Sequence, residues 1–199
     1  MADLEKTRKN LEGRGFRVHR FASGAEAAEF LVQTLHGTSI GIGGSVTIDT
    51  LGVYDRLCGS NEVLWHWKNH APETRERAGK AETYLCSANG VSENGEIVNI
   101  DGFGNRVAGT IYGPERVFLV VGRNKIAPDL TGAIDRTRNI AAPLNARRLN
   151  RHTPCAVGEP RCHDCRSPEK ICGVMTVFFM PPTSIKEFHV ILVDEDLCY

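Results

Sequence analysis

Ile40-Gly41-Ile42-Gly43-Gly44-Ser45-Val46-Thr47 is a short apolar run that ends on glycines and restarts as a polar, helix-opening segment. A strand that turns through glycines into a helix is the joint of which α/β sheets are made. The same joint is approached from upstream: Leu4 and Leu11 mark a helix over 3–12, Phe16–Phe21 a strand, and Ser23 with Glu26 three residues later a capping box. The helix it opens carries Ala28, Leu31, Val32 and Leu35 on one face. Downstream, the pattern predicts a helix over 47–57, a strand over 63–67 and a helix over 72–81 with Pro72 in its first turn. This alternation predicts an α/β fold with a mostly parallel sheet and flanking helices.

The period then changes. Residues 83–88, 96–100 and 106–112 read as strands, and Asn94-Gly95 is a hairpin signal. Val117–Val121 is unbroken apolar sequence, as expected of a central strand covered on both faces. Residues 129–149 read as mostly helical with a break or kink at Pro143. From 151 to 173 the chain reads as loop, and two last strands, 174–179 and 188–193, return to the sheet. The expected organisation is an α/β domain over 1–150, a cysteine-rich loop over 151–173 and returning strands over 174–199.

Bulk properties exclude several roles. Lys and Arg total 24 and Asp and Glu total 24 in 199 residues, so there is no net positive field for nucleic acid. No apolar stretch reads as a signal peptide or membrane span, so a cytoplasmic location with no membrane contact is expected. Seven cysteines, an odd number, argue against a closed disulfide set.

Four segments carry candidate chemistry. In the opening stretch, Gly43 and Gly44 allow close approach to a ligand, and Ser45 and Thr47 offer hydroxyls at a helix start, where free N–H groups favour an anion. It is neither a Walker A loop nor a dinucleotide fingerprint. Ser45 acting only as a helix cap fits the spacing equally well. In Asn99-Ile100-Asp101-Gly102-Phe103-Gly104-Asn105-Arg106, Asp101 is placed as a base and Arg106 as a clamp for a carboxylate or phosphate. The alternative there is a tight turn in which Asp101 and Asn105 bond to their own backbone. Gly122-Arg123-Asn124-Lys125 puts cations beyond the central strand, on the same edge if the strands are parallel.

The fourth segment places Cys155, Cys162, Cys165 and Cys172 within eighteen residues. Four thiolates suit a tetrahedral zinc or a four-iron cluster. The spacing matches neither a zinc ribbon nor the bacterial ferredoxin run, and a disulfide or a chance cluster is the remaining alternative. Histidines 66, 70, 152 and 163 have no convincing ligand spacing.

The glycine loop followed by Asp49-Thr50-Leu51-Gly52, the stretch from Ser87 through Val107, and Gly113–Ile126 together resemble the lactate-utilization (LUD) domain family. The resemblance covers roughly residues 1–150. It implies a fold like that of ribose-5-phosphate isomerases and CoA transferases, with an anionic ligand over the strand ends. It also implies a part in oxidising lactate or a related 2-hydroxy acid beside iron–sulfur redox partner proteins. Site residues implied by the match are Gly43, Gly44, Ser45, Asp101, Gly104, Asn105 and Arg106. Together with Thr47 and Lys125 they form the expected anion site, with Asp101 as the catalytic group and a [4Fe–4S] cluster or zinc on the four cysteines. Two other readings stay open: a sugar-phosphate isomerase-like or CoA-transferase-like enzyme, and a non-catalytic binding protein with structural zinc.

Overall fold

In the computed structural model, which describes residues 2–199, the chain runs α1 (Leu4–Gly13), β1 (Arg17–Phe21), α2 (Gly24–Thr34), β2 (Ser39–Ile42), α3 (Val46–Thr50), α4 (Tyr54–Cys58), β3 (Glu62–Trp65), α5 (Thr74–Gly79), β4 (Thr83–Ser87), β5 (Gly90–Ser92), β6 (Ile97–Asp101), α6 (Asn105–Ile111) and β7 (Arg116–Gly122). A 3₁₀ turn (Arg123–Lys125) leads to β8 (Ile126–Ala127) and α7 (Leu130–Arg136). A π-helical stretch (Thr137–Ala141) then joins α7 to α8 (Ala142–Arg148), before α9 (Pro154–Val157), β9 (Val174–Phe178) and β10 (Glu187–Val193).

Six strands form one sheet in the order β1-β10-β7-β4-β2-β3, and every pairing in it is parallel. All their C-terminal ends therefore lie on one edge, where α/β sheets bind ligands. The continuous apolar runs of β7 and β10 follow from burial on both faces. Val117, Leu119, Val121, Val190 and Leu192 pack on one side with Leu4 and Leu11 of α1 and with Val91, Ile97 and Phe178 of a second sheet. Phe118, Val120, Ile191 and Val193 pack on the other with Ala27, Ala28 and Leu31 of α2, and with Ile48 and Leu57.

The second sheet has the order β8-β5-β6-β9. Its hairpin is the one signalled by Asn94-Gly95: β5 and β6 pair antiparallel, with Gly90 opposite Val98, and Gly95 takes φ +91° at the turn. β9 pairs antiparallel with β6, while β10 enters the main sheet between β1 and β7. The segment after the cysteine loop thus contributes one strand to each sheet.

Three local expectations are corrected. Residues 106–112 are not a strand but lie mostly in α6. Gly104 enters at φ +94°, and the Asp101 carboxylate accepts the N–H groups of Arg106 and Val107 at 3.0 and 3.3 Å, so local capping overrides the β-branched Val107, Thr110 and Ile111. The expected helix over 47–57 is two short ones, because Gly52 takes φ +63° between them. Of the break or kink expected at Pro143, the break does not occur, and the helix runs on over 130–148. Proline has no N–H to offer the preceding turn, and the ladder widens to π spacing over Thr137–Ala141 instead.

Candidate functional site

The cleft is built where the parallel strands end. Gly44, Ser45 and Thr47 come from the turn after β2, Trp67 from beyond β3, Ser87 and Asn89 from the end of β4, and Lys125 from the turn after β7. Across from them stand Arg106, and Asn145 and Arg148 of α8. The inner end encloses about 40 Å³, room for about three waters. It opens into an outer basin of about 420 Å³ that adds Asp101, Phe103, Asn105, Arg75 and Arg151. Gly44, Trp67, Ile100, Arg106, Asn145, Arg148 and Ile171 wall both parts, so this is one continuous cleft.

The structure therefore brings Gly44, Ser45, Thr47, Asp101, Asn105, Arg106 and Lys125 together. Gly43 and Gly104 support it from behind. A Cβ on Gly43 would sit 3.0 Å from the Tyr84 hydroxyl and 3.1 Å from the Arg106 side chain, and Gly104 supplies the left-handed entry to α6. Two expected roles look different in three dimensions. Ser45 Oγ accepts the Ile48 N–H at 3.3 Å and caps α3, which is only five residues long. So short a helix has a weak dipole, and the attraction for an anion must come from side chains. Asp101 Oδ2 is engaged by the two N–H groups that start α6, so its first task is to place Arg106.

Those side chains are cations held by neutral partners. Arg106 Nη2 donates to Asn89 Oδ1 at 2.9 Å and to the Ile100 carbonyl. Arg148 donates to Asn145 Oδ1 and the Tyr199 hydroxyl and lies 4.9 Å over the Trp67 ring. Arg136, buried beneath, donates to the Asn124 and Asn89 carbonyls. Lys125 is 3 % exposed, and its Nζ donates to Thr47 Oγ1 at 2.7 Å and Ser87 Oγ at 2.8 Å. Burial, reinforced by Arg136 and Arg106, pushes its pKa down to about 7. The guanidinium groups of Arg106, Arg136 and Arg148 donate to amide, carbonyl and hydroxyl oxygens, while the carboxylates of Asp101 and Glu169 line the outer basin. Sequence reading missed Arg148, Trp67, Asn145 and Asn89. Arg148, Asn145 and Trp67 come from a helix and a strand end with no local motif, Asn89 sits inside a family-matching stretch without a chemical signal of its own, and only the fold joins them.

The four clustered cysteines meet at a second cavity of about 200 Å³, lined by Cys155, Cys162, Cys165 and Cys172 with Arg138, Lys170 and His163. Among the described residues, no three His, Cys, Asp or Glu side chains are placed to hold a single metal ion. Arg138 Nη2 lies 3.4 Å from Cys162 Sγ and 3.3 Å from Asp164 Oδ1. Burial raises the Cys172 thiol, Lys170 opposes that rise, and the other three cysteines add to it. Ile100 and Ile171 belong to the walls of this cavity and of the cleft alike. Helix α8 divides the two: Ala142, Pro143 and Ala146 border the cysteines, while Asn145 and Arg148 reach the cleft. The other cysteines stand apart from this group, with Cys58 exposed, Cys86 buried and Cys198 at the far wall of the cleft.

The fold is an α/β domain whose parallel sheet carries, over its strand ends, a cleft lined by Arg106, Arg148 and Lys125. The sequence matches the LUD domain family over residues 4–193, and the chain belongs to that family. The match runs through β10, beyond the first 150 residues. Among solved structures, the chain is similar to the crystal structure of a DUF162 family protein from Deinococcus radiodurans. The TM-score is 0.56 at 14 % identity over 96 % of this chain and 95 % of that one, a likeness of fold. A search of curated proteins found no significant match. No helix among the described residues is long and apolar enough to cross a membrane.

Proposed function

We propose that this LUD-domain protein is a redox component of lactate or related 2-hydroxy-acid utilization, holding a small organic carboxylate in the cleft and a [4Fe–4S] cluster on Cys155, Cys162, Cys165 and Cys172. The observation that carries this reading is the shared wall: Ile100, Ala142 and Ile171 line the cysteine cavity and the cationic cleft alike. Such a partition leaves a redox centre next to the ligand.

The donor set fits a cluster better than zinc. Four thiolates supply the coordination number of either, all four line one cavity of about 200 Å³, and their spacing in the chain is unlike that of a zinc ribbon. A cluster carried by four thiolates is a net anion, and Arg138, Lys170 and His163 supply the opposing polarity around it. When bound, it would accept or donate single electrons. The protein's own groups do the rest. Arg106 and Arg148 orient the ligand carboxylate, Asp101 fixes Arg106 through its backbone, and Trp67 covers the ligand. The cluster is the expected link to iron–sulfur partner proteins.

The test is anaerobic reconstitution with iron and sulfide, followed by visible absorption, electron paramagnetic resonance after reduction, and calorimetric titration with lactate and pyruvate. Bound iron and sulfide near four per chain, together with carboxylate binding lost in Arg106→Ala, is the expected result. Zinc at one per chain with no cluster signal would instead support the structural-zinc reading.

A further inference from the structure

Lys125 is a chemically odd residue. It lies at the C-terminal end of β7 in the 3₁₀ turn, with its ammonium carbon chain buried and its Nζ at the narrow end of the cleft. A lysine this deep ordinarily has a carboxylate partner. Here the nearby titrating groups are Cys198, Cys86, Arg136 and Arg106, and the direct partners are two neutral hydroxyls. Two of those neighbours are cations that oppose a third positive charge. If anchoring an anion were its whole task, a charged lysine on the cleft rim would do it without the desolvation cost. The arrangement instead favours a free amine, whose lone pair is a nucleophile.

Deepening the reading of the cleft as a carboxylate site, and resting on it, we infer that Lys125 is a carbonyl-reactive amine that forms an imine with a bound 2-oxo acid. Arg106 and Arg148 stand on the cleft wall to take the carboxylate, which presents the adjacent carbonyl carbon to the narrow end. The Nζ lone pair attacks that carbon, and the carbonyl π pair moves to oxygen, which takes up a proton. The nitrogen loses its two protons as the C=N bond forms, and the former carbonyl oxygen leaves as water. The net change is amine plus ketone to imine plus water, with no oxidant or reductant. Thr47 Oγ1 and Ser87 Oγ, at 2.7 and 2.8 Å from Nζ, are the groups placed to carry those protons. The narrow end, at about 40 Å³, admits a short chain only. This makes pyruvate or glyoxylate the fitting size, in keeping with the oxidised product of a 2-hydroxy acid.

The experiment is reductive trapping. The protein is incubated with pyruvate and cyanoborohydride and read by intact mass and peptide mapping, with calorimetry of pyruvate binding alongside. The expected result is a single carboxyethyl group on Lys125, with labelling falling as pH drops below about 7 and protection by excess lactate, which has no carbonyl. Lys125→Met should lower labelling about tenfold or more, and Thr47→Val, which removes one of the two hydroxyls at Nζ, should slow it. Pyruvate that binds but labels only surface lysines, equally in Lys125→Met, overturns the inference and leaves the carboxylate cleft standing. Pyruvate and lactate that both fail to bind overturn the cleft reading and the inference together.

Discussion

The sheet body and the cysteine segment are built on opposite terms. In β7 and β10, every residue from Val117 to Gly122 and from Phe188 to Val193 is buried, and alternate side chains feed two separate cores. Between Pro154 and Val177 no residue is buried at all, and the only regular structure before β9 is the four-residue α9. One region is held by apolar area removed from water. The other has no core and is tethered by polar contacts such as His152 with Glu169, Arg147 with the Ala156 carbonyl, and the Cys162 N–H with Asn139 Oδ1. The difference teaches that stability and the redox chemistry proposed for this chain reside in different stretches of it, so a bound centre would be what orders the segment.

The sharpest way to break this comparison is a reciprocal pair of substitutions. Cys165→Ser should abolish iron retention and hasten proteolysis within 155–172, yet move the melting of the body by less than about 1 kcal/mol. Leu119→Ala, in a fully buried site of the central strand, should destabilise the body by about 2–5 kcal/mol while folded molecules keep their iron. If Cys165→Ser unfolds the whole protein, the two regions are one cooperative unit. These outcomes are read by iron assay, limited proteolysis and calorimetric melting.

A smaller effect is expected at the contact between the regions. A Cβ on Gly102 would lie 2.6 Å from the Ile171 Cα, so Gly102→Ala should push the segment off the end of β6. Faster proteolysis of the segment and weaker ligand binding should follow, with a change in body stability under about 1 kcal/mol. Unchanged proteolysis would show that the shared wall is not closely packed in solution.

The smallest effect separates the regions by pH. His19 Nε2 and His189 Nδ1 are 2.9 Å apart, His189 stacks on Phe118 at 4.2 Å, and Glu187 and Arg17 flank the pair. Burial, the larger cause, holds both imidazoles below 6.5, with Arg17 acting in the same direction. As pH falls through 6.5, the unfolded chain takes up protons that the folded body resists, so stability is lost on acidification below that point. His189→Gln should flatten this part of the melting-against-pH curve. The curve keeping its slope would assign the acid response elsewhere.

Much of the body was legible because its signals are local. The glycine stretch, the Asn94-Gly95 turn and the unbroken run at 117–121 each define an element by themselves. The helix α6 was not legible. Its start depends on Asp101 folding back onto Arg106 and Val107, while its own Val, Thr and Ile favour a strand. Strands β5 and β8 are too short for a period to register. At the site, the glycine loop, Arg106 and Lys125 stood out as motifs. Arg148 and Trp67 looked like ordinary residues at element ends, and the burial of Lys125 could not be read before the fold was known.

The π-helical stretch over Thr137–Ala141 has a consequence for register. Each residue in a helix turns the next by about 100°, so widening one turn re-phases everything that follows. Arg136 and Arg138 lie on or before the stretch, and Asn145 and Arg148 lie after it. The angular offset between these two sets lets one rod present Arg138 to the thiols and Arg148 to the cleft. Deleting a single residue there would restore an ordinary helix of nearly the same length. It would also rotate Arg148 away from Trp67, leaving the fold intact and the two chambers out of step.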